Sequence, residues 1–182
     1  SVTSLNLSYD GSSDMDYVLD FPNLANITLT DSNITSIPDL TDLSEDLVYL
    51  DLSNNDLSSD DLSGIDGLKN LEYLNISNCN IDDISEITNT NLPALKELNL
   101  SNNPITTGIS GLINFSNLRK LNLSGCAISN SDLNTLCSGN QASIKTLILT
   151  DNSISDMSAI SDIPANTLTY LDISLNNLTE LS

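Results

Sequence analysis

Histidine is absent from all 182 residues. With it goes the commonest general base near neutral pH, and with it any Ser-His or Cys-His nucleophile pair. Tryptophan is absent too and aromatics make up only 4% of the chain, so apolar burial must rest on leucine and isoleucine. Cations are scarce: five Lys and Arg stand against 25 Asp and Glu, a formal charge of −20. Binding to a phosphate backbone or an anionic membrane needs clustered cations, so neither nucleic acid nor direct membrane insertion is expected. The same charge favours solubility. No apolar run approaches the roughly 18 residues of a spanning helix, and Ser1 opens no signal-like segment. The three cysteines, Cys79, Cys126 and Cys137, are odd in number and irregular in spacing. They make neither a disulfide framework nor a zinc pattern and are expected as buried thiols behaving as small apolar residues.

What the chain does have is a repeat. The stretch "LEYLNISNCNI" (71–81) is nearly copied by "LVYLDLSNNDL" (47–57) and "LKELNLSNNPI" (95–105). Aligned on these, eight copies of L-x-x-L-x-L-x-x-N-x-L begin at Val2, Leu24, Leu47, Leu71, Leu95, Leu118, Ile144 and Leu168, at intervals of 22 to 26 residues. The ninth place holds Asp10, Ser32, Asn55, Cys79, Asn103, Cys126, Asn152 and Asn176. Within "YLNIS" the apolar Leu74 and Ile76 alternate with Tyr73, Asn75 and Ser77, which predicts a short strand with one dry and one wet face. The ninth residue then turns the chain away. A buried Asn amide there can both donate to and accept from neighbouring backbone, and Cys is a small, weaker donor for the same slot. The rest of each copy carries apolar residues every third position, as in Ile34, Ile37, Leu40 and Leu43, which predicts 3₁₀ or extended turns. The longer segment 129–143 predicts a helical turn or two, with Ser131 as candidate N-cap and Cys137 packed beside it.

The pattern resembles the leucine-rich repeat family, and the irregular connecting segments look most like bacterial surface members, including the internalin group. The resemblance implies an α/β solenoid of about eight repeats. Its curved parallel sheet lines the concave side, with 3₁₀, short-helix and extended segments on the convex side. It covers residues 1–182 as one repeat domain, expected to be part of a longer protein. Departures are the drifting repeat length and the absence of a helical or cysteine-bearing cap and of a G-x-I-P continuation.

Candidate chemistry is sparse. The carboxylate pairs Asp60–Asp61 and Asp82–Asp83 fall on predicted convex loops, where a solvated surface is expected. Asp10, Asp14 and Asp16 in "YDGSSDMD" have calcium-like spacing but lack the twelve-residue loop pattern and its closing Glu. Neither cofactor nor metal is expected. Sequons occur at Asn6, Asn26, Asn33, Asn75, Asn99, Asn114, Asn122 and Asn177, several arising from the strand consensus itself.

The wet strand positions are more informative. The third place holds Ser4, Asn26, Tyr49, Tyr73, Glu97, Lys120, Thr146 and Tyr170, and the fifth Asn6, Thr28, Asp51, Asn75, Asn99, Asn122, Ile148 and Asp172. Tyr49 and Tyr73 should be neighbours about 4.8 Å apart. Lys96, Arg119, Lys120 and Lys145 gather on strands five to seven as a basic island, with Glu72 and Glu97 available to offset Lys96 and Lys120. Two readings follow: ordinary cross-rung pairing, or a recognition patch. The candidate ligand-binding set is Tyr49, Asp51, Tyr73, Asn75, Glu97, Asn99, Arg119, Lys120, Asn122 and Tyr170. The expected function is a non-enzymatic, monomeric adhesion or protein-binding module at the cell surface or secreted. It would recognise a protein or glycan through the concave face. The alternative is an intracellular scaffold or regulatory protein, which three unpaired thiols also fit.

Overall fold

Each repeat contributes a strand of three residues, and each strand pairs in parallel with the next. The computed structural model describes residues 1–8, 15–58, 62–139, 143–164 and 167–179. Among these the strands are β1 (Ser4–Asn6), β2 (Asn26–Thr28), β3 (Tyr49–Asp51), β4 (Tyr73–Asn75), β5 (Glu97–Asn99), β6 (Lys120–Asn122), β7 (Thr146–Ile148) and β8 (Tyr170–Asp172), ordered in space as in sequence. The register places Leu50 beside Leu74 and Leu74 beside Leu98. The fourth-place leucines therefore form one continuous row, fully or almost fully buried from Leu50 to Leu121. The sixth-place row beside it, Leu29 to Leu149, is equally dry. At the ends the burial thins: Leu5 and Leu171 are only partly buried, and Leu7 is 39% exposed.

The ninth-place residues stitch the coils. Asn55 donates through Nδ2 to the Leu29 and Leu52 carbonyls, both at 2.7 Å, and accepts through Oδ1 from the Ser32 and Ile34 N–H groups, both at 3.0 Å. Asn103 and Asn152 repeat the four-bond pattern. Where the residue is Cys, only the donor half survives: the Cys79 thiol points at the Leu52 carbonyl at 3.2 Å and the Cys126 thiol at Leu100 at 3.1 Å. Of the two N–H groups an Asn oxygen would take there, the Leu57 N–H donates instead to the Cys79 carbonyl at 2.9 Å. All three cysteines are free and buried. Asp10, the first ladder position, lies outside the described residues, as do Asp14, Asp60 and Asp61.

Outside the sheet the chain makes 3₁₀ turns at Asp16–Asp20, Thr41–Leu43, Ser63–Ile65, Ile109–Asn114 and Ser158–Asp162. The long segment is helical, but its boundaries correct the sequence expectation. The helix α1 runs Asn130–Ser138, nine residues, and its N-cap is Ser129, with Ser131 inside the first turn. Ser129 and Asp132 form a capping box: the Ser129 N–H donates to the Asp132 carboxylate at 2.9 Å and the Asp132 N–H to the Ser129 hydroxyl at 3.3 Å. Cys137 lies on the helix rather than beside it, on the face with Leu133 and Leu136 that packs toward the neighbouring turns.

Candidate functional site

The ladder fixes what the concave face can present, because side chains at one repeat position on adjacent strands lie one rung apart. Tyr49 pairs in register with Tyr73, and their rings stack with centroids 4.3 Å apart and planes 3° from parallel. That separation is shorter than isolated aromatic pairs prefer; it is imposed by the strand spacing of about 4.8 Å. Two residues on from Tyr49 lies Asp51, only 9% exposed. Its Oδ1 accepts from the Ser53 N–H at 3.0 Å and hydroxyl at 2.7 Å, and its Oδ2 from the Asn75 amide at 3.0 Å and the Tyr49 hydroxyl at 3.4 Å. Burial, reinforced by neighbouring negative charge, raises both phenols above their ordinary range, Tyr49 far above it. The pair is therefore a neutral aromatic slab on a rigid base.

The fifth column has a structural task. Asn75, Asn99, Asn122 and Asp172 each accept, through Oδ1, from the backbone N–H of the serine two residues on, at 3.1 to 3.2 Å. These contacts close the turn that ends each strand. Asn75, like Asp51, is 9% exposed, so both are largely covered rather than presented. Among the described residues no hydrogen bond takes the Nδ2 of Asn99 or Asn122. They line a depression of about 60 Å³ together with Tyr73, Glu97, Leu98 and Lys120. That is well below the roughly 300 Å³ of an enclosing ligand pocket. The surface is shaped for contact, not engulfment.

The basic island is only partly basic. Lys96 pairs with Glu72 at 2.6 Å and Lys120 with Glu97 at 3.5 Å. Among the described residues Arg119 and Lys145 join no ion pair. Tyr170 stands apart on β8, 52% exposed and four strands beyond Tyr73, with its hydroxyl 3.4 Å from Asp172. The structure thus brings together Tyr49, Asp51, Tyr73 and Asn75, sets Glu97, Asn99, Lys120 and Asn122 beside them, and leaves Tyr170 separate. Of the convex carboxylates, Asp83 accepts from the Ser85 hydroxyl and N–H, at 2.6 and 2.8 Å, contacts that lower its pKa. It serves as a turn cap.

A family profile described as leucine rich repeat matches residues 22–81 and 69–128, more than half of the chain between them, and a second matches 165–180. The chain belongs to the leucine-rich repeat family. Among solved structures, the leucine-rich repeat chain is similar to internalin C2 of Listeria monocytogenes, at 26% identity and a TM-score of 0.76, covering 99% of this chain and 74% of that one. A leucine-rich repeat protein of Leptospira interrogans matches at 25% identity and a TM-score of 0.75, over 100% of this chain and 45% of that one. The internalin inlF of L. monocytogenes shares the fold at 24% identity and a TM-score of 0.78, over 99% of this chain and 50% of its own length. The leucine-rich repeat chain thus spans half of that internalin. No curated protein matches in sequence. Leucine-rich repeat sheets typically serve as protein-binding scaffolds and are generally non-enzymatic.

Sequence reasoning grouped Lys96, Arg119 and Lys145 with Lys120 as one basic island and did not separate the second place as a column of its own. In this leucine-rich repeat chain the second place runs Val48, Glu72, Lys96, Arg119, Lys145 along one border of the sheet. The Lys96–Glu72 pair shows that its side chains meet from rung to rung. The same 23-to-26-residue spacing that revealed the other columns marks this one.

Proposed function

We propose that residues 1–182 act as a monomeric, non-enzymatic binding domain that grips a protein partner with the concave face, in a bacterial surface or secreted setting. The observation that carries the reading is the Tyr49–Tyr73 slab. Two partly exposed aromatics are immobilised by the ladder and by Asp51, so they meet a partner without losing side-chain freedom, the character of interaction hot spots. The likeness to internalin C2 supports the setting, and the shallow surface beside the slab favours a protein over a small free sugar. A second reading, an intracellular scaffold, draws on the three free thiols. The coding sequence upstream of Ser1 separates the two, since a secretion signal there belongs only to the first.

The test is to pan a phage-displayed dodecapeptide library on the protein and on the Tyr49→Ala/Tyr73→Ala variant. Peptides selected on the wild type should lose affinity for the variant by about a hundredfold, the worth of two hot-spot aromatics. Undiminished binding to a folded variant would reject the concave aromatic site.

A further inference from the structure

The second-place residues follow one another on successive rungs. The Arg119 N–H donates to the Lys96 carbonyl and the Lys145 N–H to the Arg119 carbonyl, both at 2.8 Å. Three of the five cations in the chain therefore stand in one line, Lys96, Arg119, Lys145. Carboxylates outnumber cations five to one, yet among the described residues only Lys96 in this line has a counter-charge, Glu72 at 2.6 Å. Of the two remaining cations, Lys120 is held by Glu97 and Lys69 by Glu45. Like charges on adjacent rungs are a cost to the sheet, and an acid at either place would have relieved it. Folding alone does not account for an unneutralised Arg–Lys step in a chain of this composition.

We infer that Arg119 and Lys145 are an anion-reading step on the border of the concave face, and that the partner segment it takes carries closely spaced Asp or Glu side chains. The inference rests on the concave face being the binding face. The spacing suits such a segment. Rungs about 4.8 Å apart set two cations within reach of one carboxylate, or of two on alternate residues of an extended strand about 6.8 Å apart. Arg119 can take a carboxylate with two parallel N–H donors, and charge-assisted bonds of this kind are the strong ones. The rest of the chain narrows the choice. A polyanion such as a nucleic acid carries its charge along its whole length and would meet a surface of net −20. A short acidic segment meets only the local step, because charges beyond roughly 8 Å are screened at physiological salt. The slab of Tyr49 and Tyr73 lies on β3 and β4, and Arg119 and Lys145 immediately precede β6 and β7. The partner is thus read by an aromatic contact toward one end and an acidic one toward the other.

The experiment uses the same displayed dodecapeptide library, panned at physiological salt on the wild type, on Arg119→Gln/Lys145→Gln, on Lys69→Gln and on Tyr49→Ala/Tyr73→Ala. Peptides recovered on the wild type should be enriched in Asp and Glu. Their affinity should fall about tenfold on Arg119→Gln/Lys145→Gln, as for one charge-assisted contact, and less than about twofold on Lys69→Gln, whose cation lies elsewhere. Thermal melting should place Arg119→Gln/Lys145→Gln at or above the wild type, since a like-charge contact has been removed, so lost binding would not reflect unfolding. An empty pool, a pool without acidic enrichment, or equal affinity for that variant would overturn the inference. So would tighter binding of a single-stranded oligo-dT than of the peptides. If the tyrosine variant loses the peptides and the Arg–Lys variant keeps them, the concave reading stands and this inference fails. If the Arg–Lys variant alone loses them, the acidic step stands and the aromatic site falls.

Discussion

Asn103 ties down the turn that carries Cys79. Its Oδ1 accepts from the Cys79 and Ile81 N–H groups, each at 3.0 Å, while its Nδ2 donates to the Ile76 and Leu100 carbonyls, each at 2.8 Å. Asn103 is 1% exposed, so water cannot replace it. Asn103→Ala strands these groups where each costs about 1–3 kcal/mol unpaired. A loss of about 3–5 kcal/mol is expected, read as a lower urea midpoint with unchanged slope. The Cys79 thiol points at the Leu52 and Ser77 carbonyls, at 3.2 and 3.4 Å, contacts that a serine hydroxyl repeats, so Cys79→Ser should cost about 1 kcal/mol or less. Equal losses at the two positions would mean that the ladder does not discriminate the full amide from its half.

The thiols give the fold an alkaline limit. Burial pushes Cys79, Cys126 and Cys137 from an ordinary 9.0 up to about 11. In the unfolded chain they ionise near 9 and in the folded chain only near 11, so between these values the unfolded state has released protons that the native state still holds. Stability is then complete below about pH 9 and declines as pH rises toward 11. Urea midpoints from pH 8 to 11 should show the decline, and the Cys79→Ser/Cys126→Ser/Cys137→Ser variant should show a shallower one. An identical slope in that variant would assign the limit to other groups, the raised phenols of Tyr49 and Tyr73 first.

The sheet was largely legible in the sequence, and for a physical reason: strand alternation has a period of two, and eight registered copies leave no freedom to slip. The same columns foretold that Tyr49 and Tyr73 stack. They did not show that Asp51 would be largely buried, because that depends on its contacts with the Tyr49 hydroxyl, Ser53 and Asn75. Nor did they separate Ser129 from Ser131 as the helix cap. Both precede an apolar run, and the deciding residue is Asp132, three places after Ser129, which closes the reciprocal pair. The isolation of Arg119 and Lys145 was hidden for a different reason. The sequence columns already offered Glu72 and Glu97 to Lys96 and Lys120, as the structure has them; with so many acids in the composition, they did not show that no further carboxylate among the described residues reaches Arg119 or Lys145.

Coil spacing on the convex side is set by glycine. A Cβ on Gly64 would lie 2.5 Å from both the Ile37 and Pro38 carbonyl oxygens of the preceding coil. Backbone cannot swing aside as a flexible side chain can. Gly64→Ala should therefore force the third coil off the second and cost about 3 kcal/mol, in the range of overpacked cores. Gly67, three residues on, has φ of +70° but nothing within 4 Å of a Cβ, so Gly67→Ala bears only the left-handed backbone cost of about 1 kcal/mol. Thermal melting of the two variants should rank them in that order. The reverse ranking would show that inter-coil contact at Gly64 does not set the spacing.

Leu175 breaks a column that holds Asn, Asp or Gly from Asp31 to Asp151. Among the described residues the eighth place takes left-handed backbone at Asp31, Asn54, Asn78, Asn102, Gly125 and Asp151, with φ from 54° at Asn78 to 63° at Gly125. Asn and Asp tolerate that region through local hydrogen bonds and Gly has no Cβ to clash. Leu175 adopts φ of 54° with neither advantage, and it is 77% exposed, so it recovers little by burial. Leu175→Asn should therefore raise stability by about 0.5–1 kcal/mol, chiefly by relieving backbone strain. Leu175→Gly should gain less, since glycine also frees the unfolded chain. A calorimetric melt in which both variants fall below the wild type would show that the leucine side chain is held by a contact that outweighs the strain.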